Sequence, residues 1–336
     1  MAVLLVTSAR FLDHDTGYGH PERPARLDAV LSGIERAGVG DALVRMEPRP
    51  ATQAELTAVH GEQYVAAVSD FCATGGGHLD PDTVAVPASW EAALLAAGAG
   101  PTAIEALDRG EADAAFLAVR PPGHHARPTT AMGFCLLDNV AVAAAALADR
   151  GERVLIVDWD AHHGNGTQEA FWDDDRVAYV SMHEYAPGVY PGTGGLDENR
   201  ATTVNVPFPS RTSGDAFRAA IDDIVVPLAE RFAPTWVILS AGFDAHRADP
   251  LTRMGLSSGD YVDLTERVVS LVRPGRRLAF LEGGYDLEAL AGSAGACVAA
   301  LAGERVMAER PTGEGPGREA VEAVRRLRVE RELADN

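Results

Sequence analysis

Short apolar, β-branched runs alternate along the chain with stretches whose apolar residues recur at helical spacing. The runs cover residues 3–6, 114–120, 153–160, 177–183, 236–240 and 277–281. From 114 onward each ends in a polar, glycine-containing cluster: PPGHHARP, AHHGNG, EYAPG, AGFDAHRADP and EGGYD. Between most of them lie helical patterns such as 138–150 and 215–232. Strands alternating with helices, with near-continuous apolar strand cores, predict an α/β fold whose parallel sheet is covered on both faces. Ligands of such sheets bind beyond the carboxyl ends of the strands. Every cluster of His, Asp and Tyr follows a strand directly, so the chemistry is expected on one rim. Its walls would be irregular chain such as PGVYPGTGG at 187–195.

The end of the chain reads differently. RPTGEGPGRE at 310–319 is rich in helix breakers, and a charge-laced helical stretch at 319–333 follows, with Val321, Val324 and Leu327 spaced by three. The expected division is a catalytic domain at 1–309 and a hinge with an exterior helix at 310–336.

Composition narrows the picture. With 336 residues, 46% of them hydrophobic, the chain can bury a large core, and disorder is excluded as its main state. The net charge of −20 repels phosphate backbones, which argues against direct nucleic-acid binding. All 29 basic residues are arginine. Cys72, Cys135 and Cys297 are odd in number and lack CxxC spacing, as expected of buried thiols in a reducing compartment. No apolar run reaches membrane-span length and no signal-peptide pattern opens the sequence, which predicts a cytoplasmic protein without a membrane partner. Oligomeric state is left open, a homo-oligomer included.

Candidate chemistry concentrates in DWDAHHGNG at 158–166. Asp158, Asp160 and His162 share one face as long as the chain stays extended. Asp160 and His162 are good metal ligands, and Asp158 lies one step deeper, placed to orient another group. Asp244, in the same position after another strand, supplies a third ligand. Two carboxylates and one imidazole leave an open coordination position, the pattern of a catalytic zinc site. The same donors also suit Fe(II).

His124 and His125 could be ligands too, but a five-ligand protein shell leaves no room for reaction. As acid and base beside a metal, each needs a partner that sets its tautomer, and Asp158 and Asn165 are available. A carboxylate favours the imidazolium and a neutral amide does not, so the two histidines should differ in protonation. Tyr285, after Gly283 and Gly284, could donate to a substrate carbonyl. A tyrosine buried at a strand-to-helix turn explains that motif equally well.

Six motifs in order, HPERPARL (20–27), RPPGHHARP (120–128), GFCLLDN (133–139), DWDAHHGNGTQ (158–168), GFDAHRADPL (242–251) and EGGYDL (282–287), resemble the zinc-dependent histone deacetylase family. Asn165 gives the fourth motif the form of the class II branch and its bacterial relatives, which include acetylpolyamine amidohydrolases. The resemblance implies an arginase/deacetylase-like three-layer α/β/α domain with a mostly parallel eight-stranded sheet. It also implies hydrolysis of acetyl or other acyl groups from amines, with acetyl-lysine in proteins or peptides as first choice and acetylpolyamines or other small N-acyl amines as alternative.

Position by position, Asp160, His162 and Asp244 match the zinc ligands. His125 matches the general base with Asn165 beside it, His124 the partner paired to Asp158, and Tyr285 the carbonyl-polarising phenol. Gly133, Phe134, Tyr190 and Gly284 match the substrate tunnel, with Tyr190 standing where many members have phenylalanine. Arg23 matches an arginine behind the metal. Structural K⁺ sites are implied at Asp158, Asp160, His162, Ser181 and Met182, and at Phe171, Asp174, Val177 and Thr202. Asp80 and Asp82 are candidates for a rim carboxylate. Leu251 stands where the polyamine-selective class II member has glutamate, which favours lysine substrates. A non-catalytic acyl-amine binding module would not need this intact set, and arginase-type chemistry would need a second metal with more ligands.

Overall fold

The computed structural model describes the backbone of residues 1–335 and the side chains of 1–330. Eight strands form one sheet: β1 (Val3–Val6), β2 (Leu43–Met46), β5 (Ala114–Leu117), β6 (Val154–Asp158), β7 (Val177–Glu184), β8 (Thr203–Phe208), β9 (Trp236–Ala241) and β10 (Arg277–Leu281). Their order is β2-β1-β5-β10-β9-β6-β7-β8, and every pairing is parallel. A separate antiparallel pair, β3 (Gly77–His78) and β4 (Val84–Ala85), stands apart from it.

Six strands coincide with the apolar runs; the two not anticipated, β2 and β8, are the edges of the sheet. An edge strand has one neighbour and carries polar or unusual residues that an interior strand cannot. In β2 the central Val44 and Arg45 are exposed. In β8 the run is broken by Asn205 and Pro207, and proline is tolerated only where a ladder hydrogen bond is not needed.

Two groups of helices complete the layers. One comprises α2 (Gln53–Thr57), α3 (Glu62–Ala73), α4 (Ser89–Asp108) and α5 (Asn139–Ala148), with the short α6 (Asn165–Ala170) beyond α5. The other comprises α1 (Ala25–Arg36), α7 (Gly214–Ala220), α8 (Val226–Phe232), α9 (Ser258–Val269), α10 (Leu287–Leu301) and α11 (Arg318–Asp335). The stretch expected as one helix over 215–232 is interrupted by a π turn at Ile221–Val225, where Pro227 lacks the N–H that an α turn would direct at residue 223.

The stretch expected as a hinge is hydrogen-bonded to the domain. The Thr312 N–H and hydroxyl donate to Asp260 at 2.9 and 2.8 Å, and Arg218 donates to the Thr312 carbonyl at 2.7 Å. Val321 and Val324 of α11 are buried, and this helix packs on β8 and α7. Residues 331–333 of the expected helical stretch have side chains outside the described ones. All three cysteines are buried and free. Among the described residues no helix is long and apolar enough to cross a membrane.

Helices α1 and α10 meet backbone to backbone. A Cβ on Gly33 would lie 1.9 Å from the Ala291 carbonyl oxygen, and one on Gly295 would lie 2.5 Å from that of Gly33. Main chain cannot swing aside as a side chain can, so this contact fixes the helix carrying residues 25–36 against the one that follows the EGGYD turn. Gly33→Ala is therefore expected to destabilise the fold by about 1–3 kcal/mol through overpacking. Denaturant unfolding checks this.

Candidate active site

The carboxyl ends of β5, β6, β9 and β10 deliver the chemistry-bearing residues to one rim. β6 ends at Asp158, and the chain runs on through Asp160 and His162, while β9 leads through Gly242 to Asp244. Ligand atoms of Asp160, His162 and Asp244 lie within 4.8 Å of one another. His162 Nδ1 is 3.2 Å from Asp160 Oδ1 and 2.9 Å from Asp244 Oδ2. Each carboxylate is aimed by an amide of a neighbouring loop: Gly283 N–H donates to Asp160 at 2.8 Å, and Ala161 N–H to Asp244 at 2.8 Å. A Cβ on Gly283 would sit 2.3 Å from Asp244 Oδ2 and 2.6 Å from Asp160 Oδ2, so only glycine allows this approach.

The donor set fits a divalent cation. Asp160 and Asp244 are both fully buried, and two carboxylates this close in a dry site need positive charge between them. Burial and the Asp160 charge push Asp244 up to about 7, against the pull of His162. Burial would lower His162, but its hydrogen bonds to the Asp160 and Asp244 carboxylates raise it to about 10. These two carboxylates thus attract whatever cation stands beside them.

The paired histidines are differentiated as their partners require. His124 Nδ1 lies 3.0 Å from Asp158 Oδ2, which also accepts from the Tyr179 hydroxyl at 2.9 Å. Burial opposes charge on His124, yet Asp160 and Asp158 hold it well above its ordinary value. His125 Nδ1 lies 2.8 Å from Asn165 Oδ1. The Asn165 amide nitrogen points to the Met132 sulfur at 3.4 Å, which assigns the oxygen to His125 and the imidazole proton to Nδ1. Burial, then the cations at His124 and His162, push His125 well below its ordinary value. One imidazole is a fixed cation and the other a neutral base.

A cavity of about 640 Å³ opens over this group, lined by His125, His162, Phe134, Tyr190, Leu251 and Tyr285, with His20 and Asp82 toward the surface. Gly133 and Phe134 both take positive φ, 56° and 70°, and the Phe134 N–H donates to Thr83 at 3.0 Å. A side chain on Gly133 would run into the His125 ring, 2.5 Å away. The Tyr190 ring stands edge-on to His125, with centroids 5.1 Å apart. Leu251 is 45% exposed at the mouth. Gly284, with φ of 122°, is not among the residues lining the cavity, and its carbonyl accepts from Arg26 Nε at 2.7 Å.

The expectation for Arg23 is corrected. Arg23 is exposed, and the buried arginine of HPERPARL is Arg26, whose guanidinium lies 5.0 Å from the Tyr285 ring centroid. Arg23 precedes α1, whereas Arg26 lies on the inward face of that helix with Val30, Gly33 and Ile34, and it pairs there with Glu22. Ser181 and Met182 lie on β7, with Ser181 in register with Asp158. Phe171, Asp174 and Val177 are linked in turn by backbone hydrogen bonds of 3.2 Å, and the Thr202 carbonyl accepts from Tyr179 N–H at 2.8 Å, so these four gather at the start of β7.

Three supports were not singled out from the sequence. Glu282 accepts from Gly123 N–H at 2.7 Å and His124 N–H at 3.2 Å, and burial raises it to about 7. Asp249 accepts from Tyr285 N–H at 2.7 Å. Glu22 bonds Arg26 and Arg120, and Arg26 in turn donates to the Gly284 and Glu282 carbonyls. All lie inside the quoted motifs, but a buried charge cluster leaves no periodic signal, and only its sequence neighbours pointed to it.

An α/β sheet carrying an Asp-His-Asp group at its carboxyl rim, beside a histidine pair and a phenol, defines a metal-dependent hydrolase. The profile of the histone deacetylase domain matches residues 20–301, and the chain belongs to that family. A probable deacetylase of Archaeoglobus fulgidus is 38% identical over 299 residues, covering 86% of this chain and 82% of that protein. A histone deacetylase-like amidohydrolase of Pseudomonas aeruginosa is 39% identical over 278 residues, covering 80% of this chain and 73% of its own. The crystal structure of the HDA15 HD domain superposes with a TM-score of 0.90 at 37% identity, covering 98% of this chain and 94% of that one. The family's activity makes this chain a deacetylase-type amidohydrolase, and the family implies zinc.

The buried Glu22 cluster yields a stability prediction. Glu22→Gln leaves Arg26 and Arg120 without their carboxylate and is expected to cost about 3–5 kcal/mol at neutral pH. Hydrogen bonds and charge from Arg120 and His14, set against burial, hold Glu22 well below its ordinary 4.5, so its contribution is complete above that value and is lost as pH falls through the depressed one. The gap between wild type and variant in urea unfolding should stay constant down to about pH 5 and narrow below it.

Proposed function

We propose that the enzyme hydrolyses acetyl or other short acyl groups from the side-chain amine of lysine in peptides or proteins. The observation that carries this choice over polyamines is Leu251. An apolar side chain at the mouth has no charge to hold the second ammonium of a polyamine, but it suits contact with a peptide. The acidic chain steers cationic substrates of either kind toward it.

Asp160, His162 and Asp244 would hold the metal, which we take to be zinc. When bound it supplies Lewis acidity to the acyl carbonyl and to water. The aliphatic part of the acyl-lysine side chain would lie between Phe134 and Tyr190, which exclude solvent. His125 presents its unprotonated Nε2 and takes a proton from water as oxygen adds to the carbonyl carbon. His124, held cationic by Asp158, keeps His125 weakly basic, so it readily returns that proton to the leaving nitrogen as the C–N bond breaks. Carboxylic acid and free amine result, and the acid's proton passes to the amine to leave carboxylate and ammonium. Burial holds Tyr285 in its protonated form, so its O–H can donate to the carbonyl oxygen as charge develops there. Asp249 anchors the backbone of Tyr285 from one side and Arg26 lies against its ring from the other.

Two finer assignments accompany this reading. Potassium would be held largely by backbone carbonyls at Asp158, Asp160, His162, Ser181 and Met182, and at Phe171, Asp174, Val177 and Thr202. The enzyme would work in the cytoplasm, in keeping with its three free thiols.

The test is catalytic efficiency of zinc-loaded enzyme on acetyl-lysine peptides, longer acyl-lysines, acetylputrescine and acetylspermidine. Acetyl-lysine peptides are expected to lead, and a lead for either polyamine would overturn the substrate assignment. Tyr285→Phe should retain zinc and lose about 10²-fold or more in kcat. Unchanged turnover would remove the phenol from the mechanism.

A further inference from the structure

The loop after β9 serves the site in three ways. It carries Asp244; it carries Asp249, which holds Tyr285 N–H; and it places Leu251 at the mouth. Its own hydrogen bonds make it compact: Thr252 hydroxyl to the Asp244 carbonyl at 2.5 Å, Leu256 N–H to Ala245 at 3.1 Å, and Arg247 N–H to Leu256 at 2.8 Å. A loop so knit moves as a unit, so whatever fixes it from outside positions all three functions together.

Near its far end the loop is tied by Arg253 N–H to Glu184 at 3.0 Å and by Gly255 N–H to the Thr212 carbonyl at 2.9 Å; the outside contact next to Asp244 comes from Glu309, beyond the span that matches the family. Its carboxylate accepts from His246 Nε2 at 2.7 Å, from Ser258 N–H at 3.1 Å and from the Arg247 guanidinium. His246 Nδ1 accepts from Ala248 N–H at 3.2 Å, which places the imidazole proton on Nε2, aimed at Glu309. One carboxylate thus joins the loop, two residues past Asp244, to the first turn of α9. The strap's main chain packs on α9, where a Cβ on Gly259 would lie 2.4 Å from the Glu309 carbonyl oxygen, but toward α10 and the loop packing is loose. A cavity of about 390 Å³ lies among Ala308, Glu309, His246 and the start of α10, and Val306 and Met307 of the same strap are exposed.

We propose that Glu309 is a positioning residue. By clamping the loop of Asp244 to the C-terminal strap, it sets how tightly Asp160, His162 and Asp244 hold their metal. This rests on the reading of those three residues as the metal group. Partners behind a ligand set typically change metal affinity by about 10–100-fold, and a clamp one step further out should act near the lower end.

The test compares wild type, Glu309→Ala, Glu309→Gln and Arg305→Ala. Arg305 pairs with Asp263 and Glu266, so its loss loosens the same strap without touching the loop. Hydrogen–deuterium exchange is followed on metal-free protein, and zinc dissociation into excess chelator on the loaded protein. Glu309→Ala is expected to speed exchange across residues 244–256 and zinc loss roughly 5–10-fold, with Arg305→Ala matching wild type in both. Should Glu309→Ala not fold, Glu309→Gln keeps the side-chain volume but offers one acceptor to three donors, and should show the same changes at smaller size. Faster exchange confined to the strap with unchanged zinc loss overturns the proposal, as does an equal effect from Arg305→Ala. If the wild-type chain takes up no zinc, the functional reading fails, and exchange over 244–256 still decides whether Glu309 clamps the loop.

Discussion

Two carboxylates buried against one imidazole set the terms for everything around them. Removing Asp160 and Asp244 from water is strongly unfavourable unless each is hydrogen-bonded and their charge is neutralised. The hydrogen bonds come from Gly283 and Ala161 amides, that is, from loops after different strands. The sheet therefore has to hold β6, β9 and β10 side by side, in parallel, with their carboxyl ends level. The neutralising charge is the role of a divalent cation, for which this donor set leaves coordination positions open.

The same electrostatic demand organises the next layer. His124 lies close to both Asp158 and Asp160, and their charges keep it an imidazolium. Burial first, and then that fixed cation, drive His125 toward the neutral form. Asn165 completes the arrangement by accepting one hydrogen bond from His125 Nδ1 without contributing charge. Behind Tyr285, Glu22 joins Arg26 and Arg120 in a cluster with no access to solvent, and Arg26 reaches the carbonyls of residues 282 and 284. The turn that aims the phenol is thus held by a charge cluster reaching to the first fifty residues, and by Asp249 from the loop of a metal ligand.

Interior strands were legible because a strand covered on both faces must be apolar throughout, and helix-length gaps between such runs leave few topologies. β2 and β8 were not, because an edge strand such as 203–208 admits Asn205 and Pro207 and loses that pattern. Asp160, His162, Asp244 and the His124–His125 pair could be read from spacing and donor chemistry, since each follows a strand that points it at the same rim. The pairing of each histidine with its partner, 34 and 40 residues away in the chain, could not be read from spacing and came from the family resemblance, and the structure has both contacts. Arg23 was taken for Arg26 because a motif gives order along the chain and not the inward face of the helix that begins there. Glu309 lay outside every motif, and only its position against His246 reveals it.

The claim most exposed to direct test is that Asp160, His162 and Asp244 together bind one metal ion. X-ray absorption on the protein loaded with zinc to one equivalent reports the donor atoms. The account predicts a single imidazole with the remaining ligands oxygen, at about 2.0–2.2 Å, and loss of that spectrum in Asp244→Ala. Two imidazoles, a sulfur ligand at about 2.3 Å, or a spectrum unchanged by Asp244→Ala would contradict it.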